Sequence, residues 1–126
     1  MILCDTNILI EIYRNNADII SVVNNFNQNN QMVISDVTFA EMLVGSRNKH
    51  EMQTLIKEIG KIRCLPIRSG ISTLSIELLS KYFLSHGLDF HDALIAATAI
   101  FYGIELYTLN TRDFIFIDGL KLFSST

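Results

Sequence analysis

Four acidic side chains in this chain stand where strands end or helices begin: Asp5, Glu41, Asp92 and Asp113. An acid on its own is usually a solvated surface group. Acids brought together repel, and at about 4 Å with an effective dielectric of roughly 20 each like-charged pair costs on the order of 4 kcal/mol. Such a cluster must bind a metal ion or hold protons through raised pKa values. The four positions make the chain a candidate metal-dependent enzyme.

Each acid also has a structural role open to it. Asp5 or Thr6 can cap the first helix. Thr38-Phe-Ala-Glu41 has capping-box spacing, in which the glutamate reaches back to the threonine backbone. Val37 and Phe39 instead suit a helix already under way, with Glu41 in its interior. Asp89-Phe-His-Asp92 has the spacing from N-cap to third helical residue, where the helix dipole stabilises an acid. Asp113 can be a turn residue, with Asn110 nearby as a second polar ligand or a turn signal. His50, His86 and His91 have no metal-like spacing with one another, and His91 reads as solvation of a helix start.

The elements that would carry these residues alternate. Short apolar runs predict strands at Ile2–Cys4, Met32–Ser35, Arg63–Ile67, Glu105–Leu109 and, briefly, Lys121–Phe123. Pro66 puts the third at a sheet edge or at its own end. Apolar spacing predicts helices over Asn7–Arg14, Asp18–Phe26, Val37–Gly45 and Glu51–Ile59. Another carries Leu74, Leu78, Leu79, Tyr82 and Phe83 after a cap at Ser69 or Ser72. A last, Ala-rich one runs from Phe90 to Tyr102 and stops at Gly103. A polar loop, 27–31, separates the second helix from the second strand. Alternation of this kind implies an α/β chain with a parallel sheet covered on both faces. Its sites lie beyond the carboxyl ends of the strands. Asp5, Glu41 and Asp113 fall there, while the pattern leaves the side of Asp92 open.

At 126 residues the chain reads as a single domain, 1–126. Its 49% apolar share, mean hydropathy of +0.31 and 18% charged residues argue for well-buried strands and a covered oligomer face. No apolar run approaches the roughly 18 residues of a membrane span, and no basic-then-apolar leader opens the sequence. A cytoplasmic location is expected, and Cys4 and Cys64 read as small buried thiols in a reducing compartment. With a net charge of −3 the chain is no general nucleic-acid clamp. Binding of nucleic acid would need a local patch, for which Arg14, Arg47, Lys49 and Arg112 are candidates. No Gly-rich phosphate loop and no Gly-x-Ser-x-Gly is present.

Taken in order, Asp5-Thr-Asn, Glu41, Asp92-Ala-Leu-Ile-Ala-Ala-Thr98 and Thr108-Leu-Asn-Thr-Arg-Asp-Phe114 resemble the PIN-domain ribonucleases, and within them the VapC-type toxins of type II toxin–antitoxin pairs. The resemblance covers nearly the whole chain. It implies a three-layer α/β/α fold with a five-stranded parallel sheet of order 3-2-1-4-5. It also implies a Mg²⁺ or Mn²⁺ site, endonucleolytic cleavage of RNA (often transfer RNA), a homodimer and a cognate antitoxin. Asp5, Glu41 and Asp92 match the three central acids. The family's fourth position, Thr-x-Asp, holds Asn110 here, and Asp113 supplies a carboxylate three residues on. Hard divalent cations prefer such oxygen ligands and activate water for attack on phosphorus. Asp5 and Asp92 are expected as primary ligands, and Glu41 as a ligand or water orienter. Asn110 and Asp113 complete the set. Thr6 and Arg112 are expected to contact substrate, Arg because its fork suits phosphate oxygens.

Two other acid-clustering folds fit poorly. A receiver-type phosphorelay domain would need an acidic neighbour for Asp5 and an acceptor Asp near Ile67-Arg68-Ser69; a haloacid-dehalogenase phosphatase would need Asp where Asn7 stands. The alternative within the family is a PIN-type module that binds RNA or protein without cleaving.

Overall fold

The computed structural model describes residues 1–29 and 31–125; the expected loop at 27–31 includes Asn30, which lies outside the described residues. Four short strands form one parallel sheet: β1 (Ile2–Cys4), β2 (Met32–Ser35), β3 (Arg63–Leu65) and β4 (Glu105–Tyr107). Their order is β3-β2-β1-β4. Leu3 pairs with Val33 on one side and Leu106 on the other, so β1 is central. β3 is an edge strand, and it stops at Leu65 just before Pro66.

The helices are α1 (Thr6–Tyr13), α2 (Ala17–Asn27), α3 (Asp36–Val44), α4 (Lys49–Ile59), α5 (Ser69–His86) and α6 (Phe90–Tyr102). Successive strand residues point to opposite faces, and the core divides accordingly. Leu3, Val33, Leu65 and Leu106 pack with Ile71 and Leu78 of α5 and Ala93 to Ala97 of α6. Ile2, Cys4, Met32 and Ile34 pack with Ile8 and Leu9 of α1, Ile19 and Val23 of α2 and Ile59 of α4. The result is the expected three-layer α/β/α arrangement. No described helix is long and apolar enough to cross a membrane.

Three expectations need correction. The fifth strand at Lys121–Phe123 is a single parallel bridge, Leu106 to Leu122, held by Leu106 N–H to Lys121 O (2.9 Å) and Phe123 N–H to Leu106 O (2.8 Å). β4 leaves the sheet after Tyr107, so the returning segment finds one residue to pair with. Neither Ser69 nor Ser72 caps α5: Arg68 is the N-cap, without a side-chain bond, and its carbonyl accepts from Ile71 and Ser72 N–H. Cys64 is only half-buried, and its thiol donates to Asp36 Oδ1 at 3.1 Å.

Candidate active site at the carboxyl ends of the strands

The sheet delivers the acids through its helix starts. Asp5 ends β1 and is the N-cap of α1, its carboxylate accepting from Thr6 N–H at 2.7 Å. The side chain is buried and takes two further donors, the Thr108 hydroxyl at 2.8 Å and Asn7 Nδ2 at 3.3 Å. Asn7 also bonds across to the loop after β4, Leu109 N–H donating to its Oδ1 at 3.1 Å. Thr108 Oγ1 in turn accepts Asn110 N–H at 3.0 Å. Asn7 and Thr108 therefore tie the end of β1 to the end of β4. Both lay in the motif stretches, yet only the folded geometry gives them this role.

Glu41 is free of capping duty. Ser35 is the N-cap of α3, accepting from Thr38 N–H at 3.3 Å, so Thr38 is already the third helical residue and Glu41 sits in the helix interior. Its Oε1 accepts the Thr6 hydroxyl at 2.9 Å, while Thr38 Oγ1 lies 3.2 Å from that hydroxyl. One hydroxyl has one proton, so Thr6 donates to the carboxylate and can accept from Thr38. Glu41 Oε2 is 3.7 Å from His91 Nδ1. His91 is thus a neighbour of the acids, which its position beside Asp92 hinted at and spacing rules could not establish.

Asp92 is the third residue of α6, whose N-cap is Asp89 with Asp92 N–H donating to Asp89 Oδ1 at 2.8 Å. The cap bond runs in that direction only. Among the described residues the Asp92 carboxylate accepts no hydrogen bond. Burial, then the charges of Asp89, Asp5, Asp113 and Glu41, push its pKa up to about 7. That settles its side of the sheet: Asp92 stands among the other acids. Asp89, which had only a capping role in the sequence, joins them.

Burial also raises the Asp5 carboxyl, against the lowering effect of its Thr108 and Thr6 donors; the charges of Glu41 and Asp113 raise it further. The Asp5 charge is one of those that raise Asp92, so the two carboxylates disfavour each other's ionisation.

The last corner follows β4. Asn110 precedes a 3-10 turn, Thr111–Asp113, and Asn110, Arg112 and Asp113 are all exposed. Asp92, Arg112 and Asp113 line one hollow of about 310 Å³. Glu41 lies elsewhere, on two others: one of about 600 Å³ with Thr6, Arg14 and Arg47, and one of about 670 Å³ with His91, Phe90 and Leu94. The expected basic patch is therefore split. Arg14 and Arg47 flank Glu41 while paired to Glu11 and Glu51, Arg112 stands by Asp113, and Lys49 lines none of these hollows. Among the described residues no three His, Cys, Asp or Glu side chains are already gathered closely enough to hold an ion. The acids feel one another's charge without sharing a single cage.

Comparison with known proteins identifies the family that this fold belongs to. Residues 2–119 match the PIN domain. Ribonuclease VapC1 of Rickettsia felis is 29% identical over 129 positions, 96% of this chain and 93% of that protein. A toxin–antitoxin complex from Klebsiella pneumoniae superimposes with a TM-score of 0.79 at 30% identity, covering 95% of each chain. VapBC2 of Rickettsia felis, solved with a DNA fragment from its promoter, shares the fold at a TM-score of 0.83 and 24% identity over 98% of each chain. The chain belongs to the PIN-domain family.

Proposed function

We propose that this protein is a metal-dependent endoribonuclease acting in the cytoplasm as the toxin of a toxin–antitoxin pair, built as a single domain over 1–126. The observation that carries the reading is Asp92: a half-buried carboxylate that accepts no hydrogen bond among the described residues and lies within the electrostatic reach of four other acids. Hydrogen bonding cannot be its compensation, and a cation can. The donor set consists of carboxylates and one amide oxygen, which suits a hard ion such as Mg²⁺ or Mn²⁺. Asp5, Asp92, Glu41, Asn110 and Asp113 would hold it. When bound, the ion supplies Lewis acidity toward water and the phosphate oxygens.

The chain's own residues do the rest. Thr108, Asn7 and the Thr6 N–H fix the Asp5 carboxylate. Thr6 holds Glu41 by Oε1, leaving Oε2 to orient a water or receive its proton. Asp113 adds charge at the rim, and Arg112 is placed to meet a phosphate. Likeness to a ribonuclease and to toxin–antitoxin complexes supports RNA as substrate and a cognate antitoxin as partner; transfer RNA is proposed on the resemblance of the motifs. A homodimer is supported by the apolar face of α5, where Ile76, Phe83 and Leu84 are exposed.

The test compares the purified chain with Asp5→Ala on RNA, with Mg²⁺ or Mn²⁺ and with EDTA. Cleavage should require the ion and fall by at least about 100-fold in the variant. Equal cleavage by Asp5→Ala, or cleavage that survives EDTA, overturns the assignment.

A further inference from the structure

The hollow that holds Asp92, Arg112 and Asp113 has a second wall the acid chemistry leaves unused. His86, the last residue of α5, and Phe116 line it. Their rings lie nearly parallel, 11° apart with centroids separated by 4.1 Å. Tyr82 braces both, meeting His86 edge-on at 6.0 Å and Phe116 at a tilt at 5.3 Å. Tyr82 itself is buried, its hydroxyl accepting Asp118 N–H at 3.1 Å. His86 is exposed, and its Nδ1 is engaged by the Ser85 hydroxyl at 2.7 Å. One face of the imidazole is therefore covered by Phe116 and its orientation is fixed, while the ring remains open to solvent on the rim of the acid hollow.

An oriented, exposed aromatic plane beside a phosphate-cleaving site suits one ligand group above others. Unpaired RNA bases are recognised by stacking on aromatic side chains, and such stacking needs no particular base. Arg112, on the same hollow, offers the planar fork that phosphate oxygens accept. We infer that His86, backed by Phe116, is a stacking platform for one unpaired base of the RNA, next to the phosphate cleaved at the acids. The inference rests on the ribonuclease reading and sharpens it. The nucleotide seated there must be single-stranded or flipped from a loop, because a base held in a duplex offers no free face.

The test uses full-length protein carrying Asp5→Asn to suppress cleavage, and a single-stranded RNA of about eight nucleotides with 2-aminopurine placed at each position in turn. Stacking quenches that probe, and the quench should be confined to one or two positions. His86→Ala, at an exposed helix end, should weaken binding about tenfold and abolish the quench. His86→Phe should keep both, since the plane and not the ring nitrogens makes the contact. In the cleaving background His86→Ala should raise KM about tenfold with kcat nearly unchanged. Unaltered binding and quench in His86→Ala, or a His86→Phe variant as poor as the alanine, overturns the platform. RNA cleavage that is indifferent to His86 leaves the nuclease standing without it. Position-specific quench without cleavage by the unmodified chain leaves the platform standing and removes the nuclease.

Discussion

The Thr6 hydroxyl joins the start of α1 to Glu41, and its value is directly measurable. Thr6→Val keeps the shape and the backbone N–H to Asp5 but removes the donor. A hydrogen bond to a charged group contributes about 1.5–3 kcal/mol, so cleavage should drop roughly 10- to 100-fold with the fold intact, and Thr6→Ser should recover most of it. A loss seen equally in Thr6→Ser would mean the methyl, not the hydroxyl, matters. Asp92 gives a second test, through stability. Its folded-state pKa of about 7 lies above the ordinary 3.8, so between those values the folded protein binds more protons than the unfolded chain. Stability from this group is complete below about pH 4 and lost as pH rises through 7. Asp92 is partly solvated, which screens the effect to about 1 kcal/mol, near 4 °C in Tm for a chain of this size. Metal-free protein should therefore lose more Tm between pH 5 and 8 than Asp92→Asn does. Parallel curves would show that the acids do not strain one another. Saturating Mn²⁺ should flatten the wild-type curve.

Elements were easier to read in the sequence than their ends. The span of α6 was legible because Asp89 and Gly103 bracket a mostly apolar, Ala-rich run, and Gly103 takes the left-handed φ of 66° that ends it. The start of α3 was not, because Ser35 and Thr38 are both good caps and only the strand's exit direction chooses between them. That choice released Glu41 from a capping box. The expected fifth strand shrinks to one bridge for a related reason: Lys121-Leu-Phe123 has strand composition, but pairing is decided by the length of its neighbour. The alanines of α6 carry the next prediction. Ala93, Ala96, Ala97 and Ala99 are fully buried between α5 and the sheet. Ala97→Leu adds bulk with nowhere to go, and overpacking of this kind costs about 1–3 kcal/mol. Because the same helix start carries Asp92, the variant should also weaken Mn²⁺ binding as measured by calorimetry. A stability loss with unchanged Mn²⁺ affinity would show that helix packing does not set the position of the acid.

At the scale of the whole molecule, strand alternation sufficed to foresee a parallel sheet with two covered faces, and it directs the search for a site to the carboxyl edge. Which acids converge was less legible: Asp89 joins locally as the N-cap of the helix that carries Asp92, His91 meets Glu41 only through tertiary proximity, and a short 3-10 turn sets how the Asn110 amide and the Asp113 carboxylate are presented. The exposed α5 residues bear on assembly. If Ile76, Phe83 and Leu84 meet a second copy, Phe83→Glu should convert a dimer to a monomer in sedimentation without lowering Tm by more than about 1 kcal/mol equivalent. A dimer that persists in the variant places the contact elsewhere. The bonds from Asp5 and Asn7 to Thr108 and Leu109 span more than a hundred residues of chain. During synthesis the two halves of the site can meet only after the residues on both sides of that span have been made. β1 keeps one edge bare until Glu105–Tyr107 emerge. A chain cut short before Thr108 lacks the donor that fixes Asp5, so whatever chemistry the candidate site performs waits for that late residue.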